Sequence, residues 1–124
     1  MAKVKAIRGA TTVTADTREE ILAATRELIN EILRRNELHP ELVISAFFTA
    51  TPDLTAAFPA EAVRQLGYTS WAALDSTQMS VPGALQRCIR VLLHVYREET
   101  AKEVQHVYIR GAEVLRPDRA TAGD

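Results

Sequence analysis

From Lys3 to Thr14 apolar and polar positions alternate loosely, with Val4, Ala6 and Val13 apolar, which predicts a first strand ending near Thr11 and carrying Arg8. Asp16-Thr17-Arg18-Glu19-Glu20 then offers an N-cap, with Thr17 and Glu20 at capping-box spacing. Ile21, Leu22, Thr25, Leu28, Ile29 and Ile32 follow at helical period and predict a helix to about Arg35. A turn at Asn36 to Pro40 leads into Leu42 to Thr51, whose Val, Ile and Phe content predicts a buried strand. Thr51-Pro52-Asp53 ends that strand. Pro59 to Leu66 reads as a short helix with proline in its first turn and Gly67 at its C-terminal cap.

Further on the pattern is weaker. Trp71 to Leu74 is a short apolar segment, Asp75 to Ser80 reads as a polar loop, and Pro82 to Gln86 as one helical turn. In Cys88 to Tyr96 the residues Ile89, Val91, Leu93 and Val95 recur at period two, so a strand is predicted, with Arg90 and Ile89 on opposite faces. Glu98 to Val104 is expected as a short helix or turn, followed by a hairpin of strands Gln105 to Arg110 and Glu113 to Leu115 turning at Gly111. Strands and helices without regular βαβ repetition predict an α+β fold, a mixed sheet with helices packed on one side. The whole of 1–124 is expected to be one domain, with a polar, frayed tail at 117–124.

Composition narrows the function. The net charge is −1 with acidic and basic residues interspersed, which offers no electrostatic footprint for nucleic acid. The longest apolar runs fall well short of the roughly 20 residues that span a bilayer, and Met1 to Arg8 is not followed by a signal-peptide apolar region. A cytoplasmic protein is therefore expected, and the one cysteine, Cys88, which cannot form an internal disulfide, agrees with a reducing compartment. His39, His94 and His106 lack metal-ligand spacing, and His94 and His106 are expected to satisfy neighbours within strands. No Gly-rich phosphate loop and no Gly-x-Ser-x-Gly elbow occur.

Four arginines, Arg8, Arg64, Arg90 and Arg116, sit in or beside apolar stretches. A guanidinium keeps its charge when buried and must find an anion, and its planar fork suits carboxylate or phosphate. Taken singly, each could pair with one of the sixteen Asp and Glu residues; converging, they would make a pocket for a small polyanion. Arginines with Phe58, Tyr108, Asp75 and Gln78, and no nucleophile or general base, suit a reaction in which charge is placed rather than protons moved.

Five stretches, in order, resemble the small trimeric α+β type of monofunctional chorismate mutase. They are Ile7-Arg8-Gly9-Ala10-Thr11-Thr12-Val13; Ala50-Thr51-Pro52-Asp53-Leu54 with Phe58-Pro59-Ala60-Glu61-Ala62-Val63-Arg64; Val81-Pro82-Gly83; Cys88-Ile89-Arg90-Val91; and His106-Val107-Tyr108 with Val114-Leu115-Arg116-Pro117-Asp118. The resemblance implies rearrangement of chorismate to prephenate without cofactor, in pockets between subunits of a homotrimer whose sheets form a barrel-like core. It implies that Arg90 faces the breaking ether bond, that Arg8 and Tyr108 bind carboxylate, and that Phe58, Ala60, Leu74 and Leu115 form walls. Ser76 and Thr77 join the lining, with Arg64 and Arg116 near the mouth.

Two positions depart from that pattern. Gln78 falls where the family usually has a glutamate that binds the ring hydroxyl, and Asp75 where it often has cysteine. Asp75 is therefore expected to supply part of the missing charge, accepting from the hydroxyl or pairing with Arg90, while Gln78 adds a neutral hydrogen bond. Glu61 lies where some relatives have lysine. A non-catalytic trimer that binds a small carboxylate is the alternative reading.

Overall fold

The computed structural model describes residues 1–116; the tail at 117–124 lies outside the described residues. The elements run β1 (Ala2–Thr12), α1 (Arg18–Arg35), a 3₁₀ turn (Pro40–Leu42), β2 (Val43–Ala50), α2 (Glu61–Gln65), β3 (Ala72–Thr77), β4 (Cys88–Glu98), β5 (Val107–Tyr108) and a second 3₁₀ turn (Ala112–Leu115). The strands form one five-stranded sheet in the order β3-β2-β4-β1-β5. β4 pairs antiparallel with both β1 and β2, whereas β3 and β5 add parallel edges on β2 and β1. The expected α+β mixed sheet is present.

One face of the sheet meets α1. Ile7, Ala46, Phe48, Ile89, Val91, Leu93 and Val95 bury there against Ile21, Leu22, Leu28, Ile29 and Ile32 of the helix. Gly9 permits the approach: a Cβ there would lie 2.8 Å from Ile32 Cδ1, 3.1 Å from Leu28 Cδ1 and 3.1 Å from Val107 O. Thr17 caps α1 by accepting the Glu20 N–H (3.2 Å). Only half of the capping box forms, because the Glu20 carboxylate turns to the Thr14 hydroxyl instead (3.1 Å). Helix α2 ends in a Schellman motif, with Gly67 at φ 84° and N–H bonds from Gly67 to Arg64 O (3.0 Å) and from Tyr68 to Val63 O (3.1 Å).

Three expectations are corrected. Asp75, Ser76 and Thr77, read as loop, belong to β3, paired with Phe48, Thr49 and Ala50. Pro82 to Gln86 forms no helical turn; Pro82 and Gly83 occupy a tight turn closed by Ala84 N–H to Val81 O (3.0 Å). The Glu98 to Val104 connection, expected as a short helix or turn, is a turn, closed by Ala101 N–H to Glu98 O (3.0 Å). No C-terminal hairpin exists among the described residues: β5 is two residues long and lies parallel to β1, and Glu113 to Leu115 are 3₁₀. Among the described residues no helix is long and apolar enough to cross a membrane.

Candidate active site

The other face of the sheet is open, and pleating decides which residues it receives. Register pairs Arg8 with Leu92 and Ala10 with Arg90 across β1 and β4. It pairs Leu92 with Phe47 and Arg90 with Thr49 across β4 and β2. Directly paired residues project to one side, so these side chains share the face away from α1. Beyond β1, Tyr108 pairs with Ala10 and completes the row. The C-terminal segment folds over this end: Tyr108, Ala112 and Leu115 pack with Ala10 and Cys88.

The result is a cavity of about 240 Å³ lined by Arg8, Phe47, Thr49, Arg90, Leu92, Tyr108 and Arg116, among others. Four residues expected in the site from sequence thus come together. Phe47, Thr49 and Leu92 were not among them; their signal was the period-two alternation of β2 and β4, which yields a common face only once register is known. The Arg90 guanidinium lies beside the Cys88 thiol, whose pKa burial pushes up while Arg90 pulls it down less strongly. Arg90 Nε is buried with no hydrogen-bond partner. A buried cationic donor left unpaired is costly, and an anion entering the cavity would relieve it.

The remaining expected residues lie elsewhere on the chain. Phe58, Asp75, Ser76 and Thr77 line a larger cavity of about 700 Å³, together with Arg18 and Glu61. Phe58 is 69% exposed and Leu74 65% exposed, whereas Ala60 is buried, and Arg64 lies exposed on α2. Arg18, which sequence reasoning passed over, forks onto Glu61 through both guanidinium NH2 groups. That pair neutralises the acidic charge of Glu61.

Asp75 does not pair with Arg90 within the chain. Its register partner Phe48 belongs to the core face, and its Oδ1 accepts the Ala60 N–H at 2.8 Å, tying β3 to the start of α2. Burial raises its pKa, against smaller opposing pulls from the Ala60 N–H and from Arg64. Gln78, just past β3, donates its N–H to Ala50 O (2.8 Å), and its Oε1 is buried without a partner. Of the histidines, His94 in β4 bonds Ser45 (3.1 Å), as expected, whereas His106 lies just before β5 and not within a strand, its Nδ1 accepting the Arg8 N–H (2.9 Å).

Comparison with known proteins agrees with this geometry. The family model for chorismate mutase type I matches residues 4–119. The chain is 44% identical over 116 residues to chorismate mutase AroH of Bacillus subtilis (strain 168), covering 93% of this chain and 91% of that one. It is 46% identical over 120 residues to chorismate mutase AroH of Thermus thermophilus, covering 96% and 98%. A solved chorismate mutase from Clostridium thermocellum superposes with a TM-score of 0.85 at 47% identity, over 89% of this chain and 98% of that one. With a family match along nearly its whole length and relatives at 44–47% identity, the chain belongs to the type I chorismate mutase family.

Proposed function

We propose that the chain is an isomerase converting chorismate to prephenate in aromatic amino-acid biosynthesis, at sites shared between neighbouring chains of a homotrimer. One observation carries the reading: Arg8, Arg90, Tyr108 and Arg116 border a single cavity, and the buried Nε of Arg90 lacks an acceptor. Chorismate is a dicarboxylate, so separate cationic groups can hold its two ends.

The reaction is an intramolecular rearrangement in which a carbon–oxygen bond breaks as a carbon–carbon bond forms, and negative charge grows on the departing ether oxygen. No group in the cavity needs to carry a proton. Arg90 supplies a fixed positive charge beside that oxygen, stabilising the transition state more than the ground state. Arg8 and Tyr108 hold carboxylate and keep the side chain folded over the ring. Gln78 offers a neutral acceptor to the ring hydroxyl through its unpartnered Oε1.

The trimer has its own support. On one chain the cationic cavity and the cavity at Phe58, Asp75, Ser76 and Thr77 have no lining residue in common. Each is half of a site: the Phe58 side of one chain closes the arginine side of the next, with Ala60, Leu74 and Leu115 among the walls and Arg64 near the mouth. The open sheet face also exposes Val4, Phe47, Leu74 and Tyr96, apolar surface that a neighbouring sheet would cover. No cofactor takes part, and with its lone cysteine a buried free thiol, the cytoplasm is the compartment we assign.

The test is loss of chorismate absorbance catalysed by the purified protein and by Arg90→Ala, with light scattering for mass. Turnover should fall by about two to three orders of magnitude in the variant, the usual cost of one preorganised charge-stabilising donor. Wild-type protein that binds chorismate without consuming it would instead support the non-catalytic carboxylate binder.

A further inference from the structure

Strand β5 pairs with β1 only at Gly9–Val107 and Ala10–Tyr108, and Ile109 donates its N–H to Ala10 O at 3.0 Å. Continued one step back, this parallel ladder would have the Arg8 N–H donate to Gln105 O. That carbonyl is already engaged. Asn36, 1% exposed at the end of α1, donates Nδ2 to Gln105 O (3.0 Å) and accepts the Gln105 N–H at Oδ1 (2.7 Å). The same Nδ2 reaches Ile32 O (2.8 Å), and Arg97 Nη1 holds the Asn36 carbonyl (2.9 Å). Drawn toward α1 in this way, the chain leaves the ladder at His106, and His106 Nδ1 meets the Arg8 N–H at 2.9 Å.

From this arrangement we infer that His106 is a positioning residue for the rearrangement: its Nδ1 stands in for a strand carbonyl and fixes the backbone of Arg8 where β5 ends. Arg8 and Tyr108 are thereby held a set distance apart on two strands joined by only two residue pairs. The inference rests on the reading of Arg8 as a carboxylate ligand. It requires the ring tautomer with an unprotonated Nδ1, since an N–H at that position could not accept.

The test combines amide hydrogen exchange at Arg8 with steady-state kinetics on chorismate. Asparagine places an oxygen close to where Nδ1 lies, whereas the glutamine oxygen falls one bond further out. His106→Ala and His106→Gln should lose protection at the Arg8 amide and raise KM by about three- to tenfold with kcat little changed, the worth of one hydrogen bond. His106→Asn should recover both, and should carry the comparison with glutamine if the alanine variant does not fold. In an Arg8→Ala background, His106→Ala should add nothing further. Wild-type protection and KM in His106→Ala, or asparagine no better than glutamine, would overturn the inference. An Arg8→Ala enzyme with wild-type KM would instead remove the carboxylate reading of Arg8, and the inference with it, even if exchange at Arg8 depends on His106.

Discussion

Arg90 and Arg97 share one strand, yet an odd separation places them on opposite faces, and their surroundings differ accordingly. Arg97 is 7% exposed and spends its donors on backbone carbonyls, Lys102 O from Nε (3.1 Å) and Nη2 (2.9 Å) and Asn36 O from Nη1 (2.9 Å). Arg90 keeps a buried Nε without an acceptor. The first is a structural brace, and the second is the group that our proposal assigns to the substrate's growing negative charge. Asp75 makes the complementary case among the acids, since burial lifts its carboxyl above the ordinary 3.8. The folded chain then holds that proton more tightly than the unfolded chain does, so the contribution of this group to stability is fully present below about pH 4 and is lost as pH rises through its raised folded value. Asp75→Asn keeps an oxygen for the Ala60 N–H and removes the charge. Urea unfolding at a series of pH values should show the variant gaining on wild type as pH rises above about 4. A difference independent of pH would mean that Asp75 titrates normally, and an unchanged kcat/KM would discard a catalytic part for it.

Among the elements, what the sequence made legible followed from periodicity. β4 was readable because Ile89, Val91, Leu93 and Val95 alternate without a break and are all buried, and α1 because its apolar stripe follows a capping signal that Thr17 fulfils. β3 was not, because an edge strand paired on one side tolerates polar residues, and Leu74-Asp75-Ser76-Thr77 has the composition of a loop. That misreading carried into the site: as a loop residue Asp75 could approach Arg90, whereas in β3 it is paired with Phe48 of the core face. β5 was misjudged because a parallel pairing 98 residues distant in sequence from β1, as between Arg8 and His106, leaves no local trace, while a nearby glycine suggests a hairpin. The α1–β1 contact gives a test at this scale. Gly9→Ala forces Ile32 or β5 to shift, because its methyl would lie 2.8 Å from Ile32 Cδ1 and 3.1 Å from the Val107 carbonyl. Overpacking of this kind costs about 1–3 kcal/mol, partly offset by the lost flexibility of glycine in the unfolded chain. Thermal unfolding should fall by several degrees; a melting temperature equal to or above wild type would mean that α1 does not lie so close to β1.

At the scale of the whole molecule, the two cavities on one chain present a geometric problem that the proposed second chain would solve. The arginine side offers charge on an open sheet face, and the Phe58 side offers a wall with Asp75 committed to holding it in place. If each working site takes one side from each of two neighbours, lesions on opposite sides complement. On the proposed mechanism Arg90→Ala removes the charge that stabilises the transition state, and Phe58→Glu sets a negative charge against the dianionic substrate. Each homotrimer should be nearly inactive. Mixed in equal amounts, unfolded and refolded together, they form rings in which about one site in four joins two unmutated sides, because each side is intact with a chance of about one half. Activity should therefore return to roughly a quarter of the wild-type level, with wild-type KM, and should not return when the two proteins are mixed without subunit exchange. A site contained within one chain predicts no recovery under either protocol, since every chain in the mixture carries one of the two lesions.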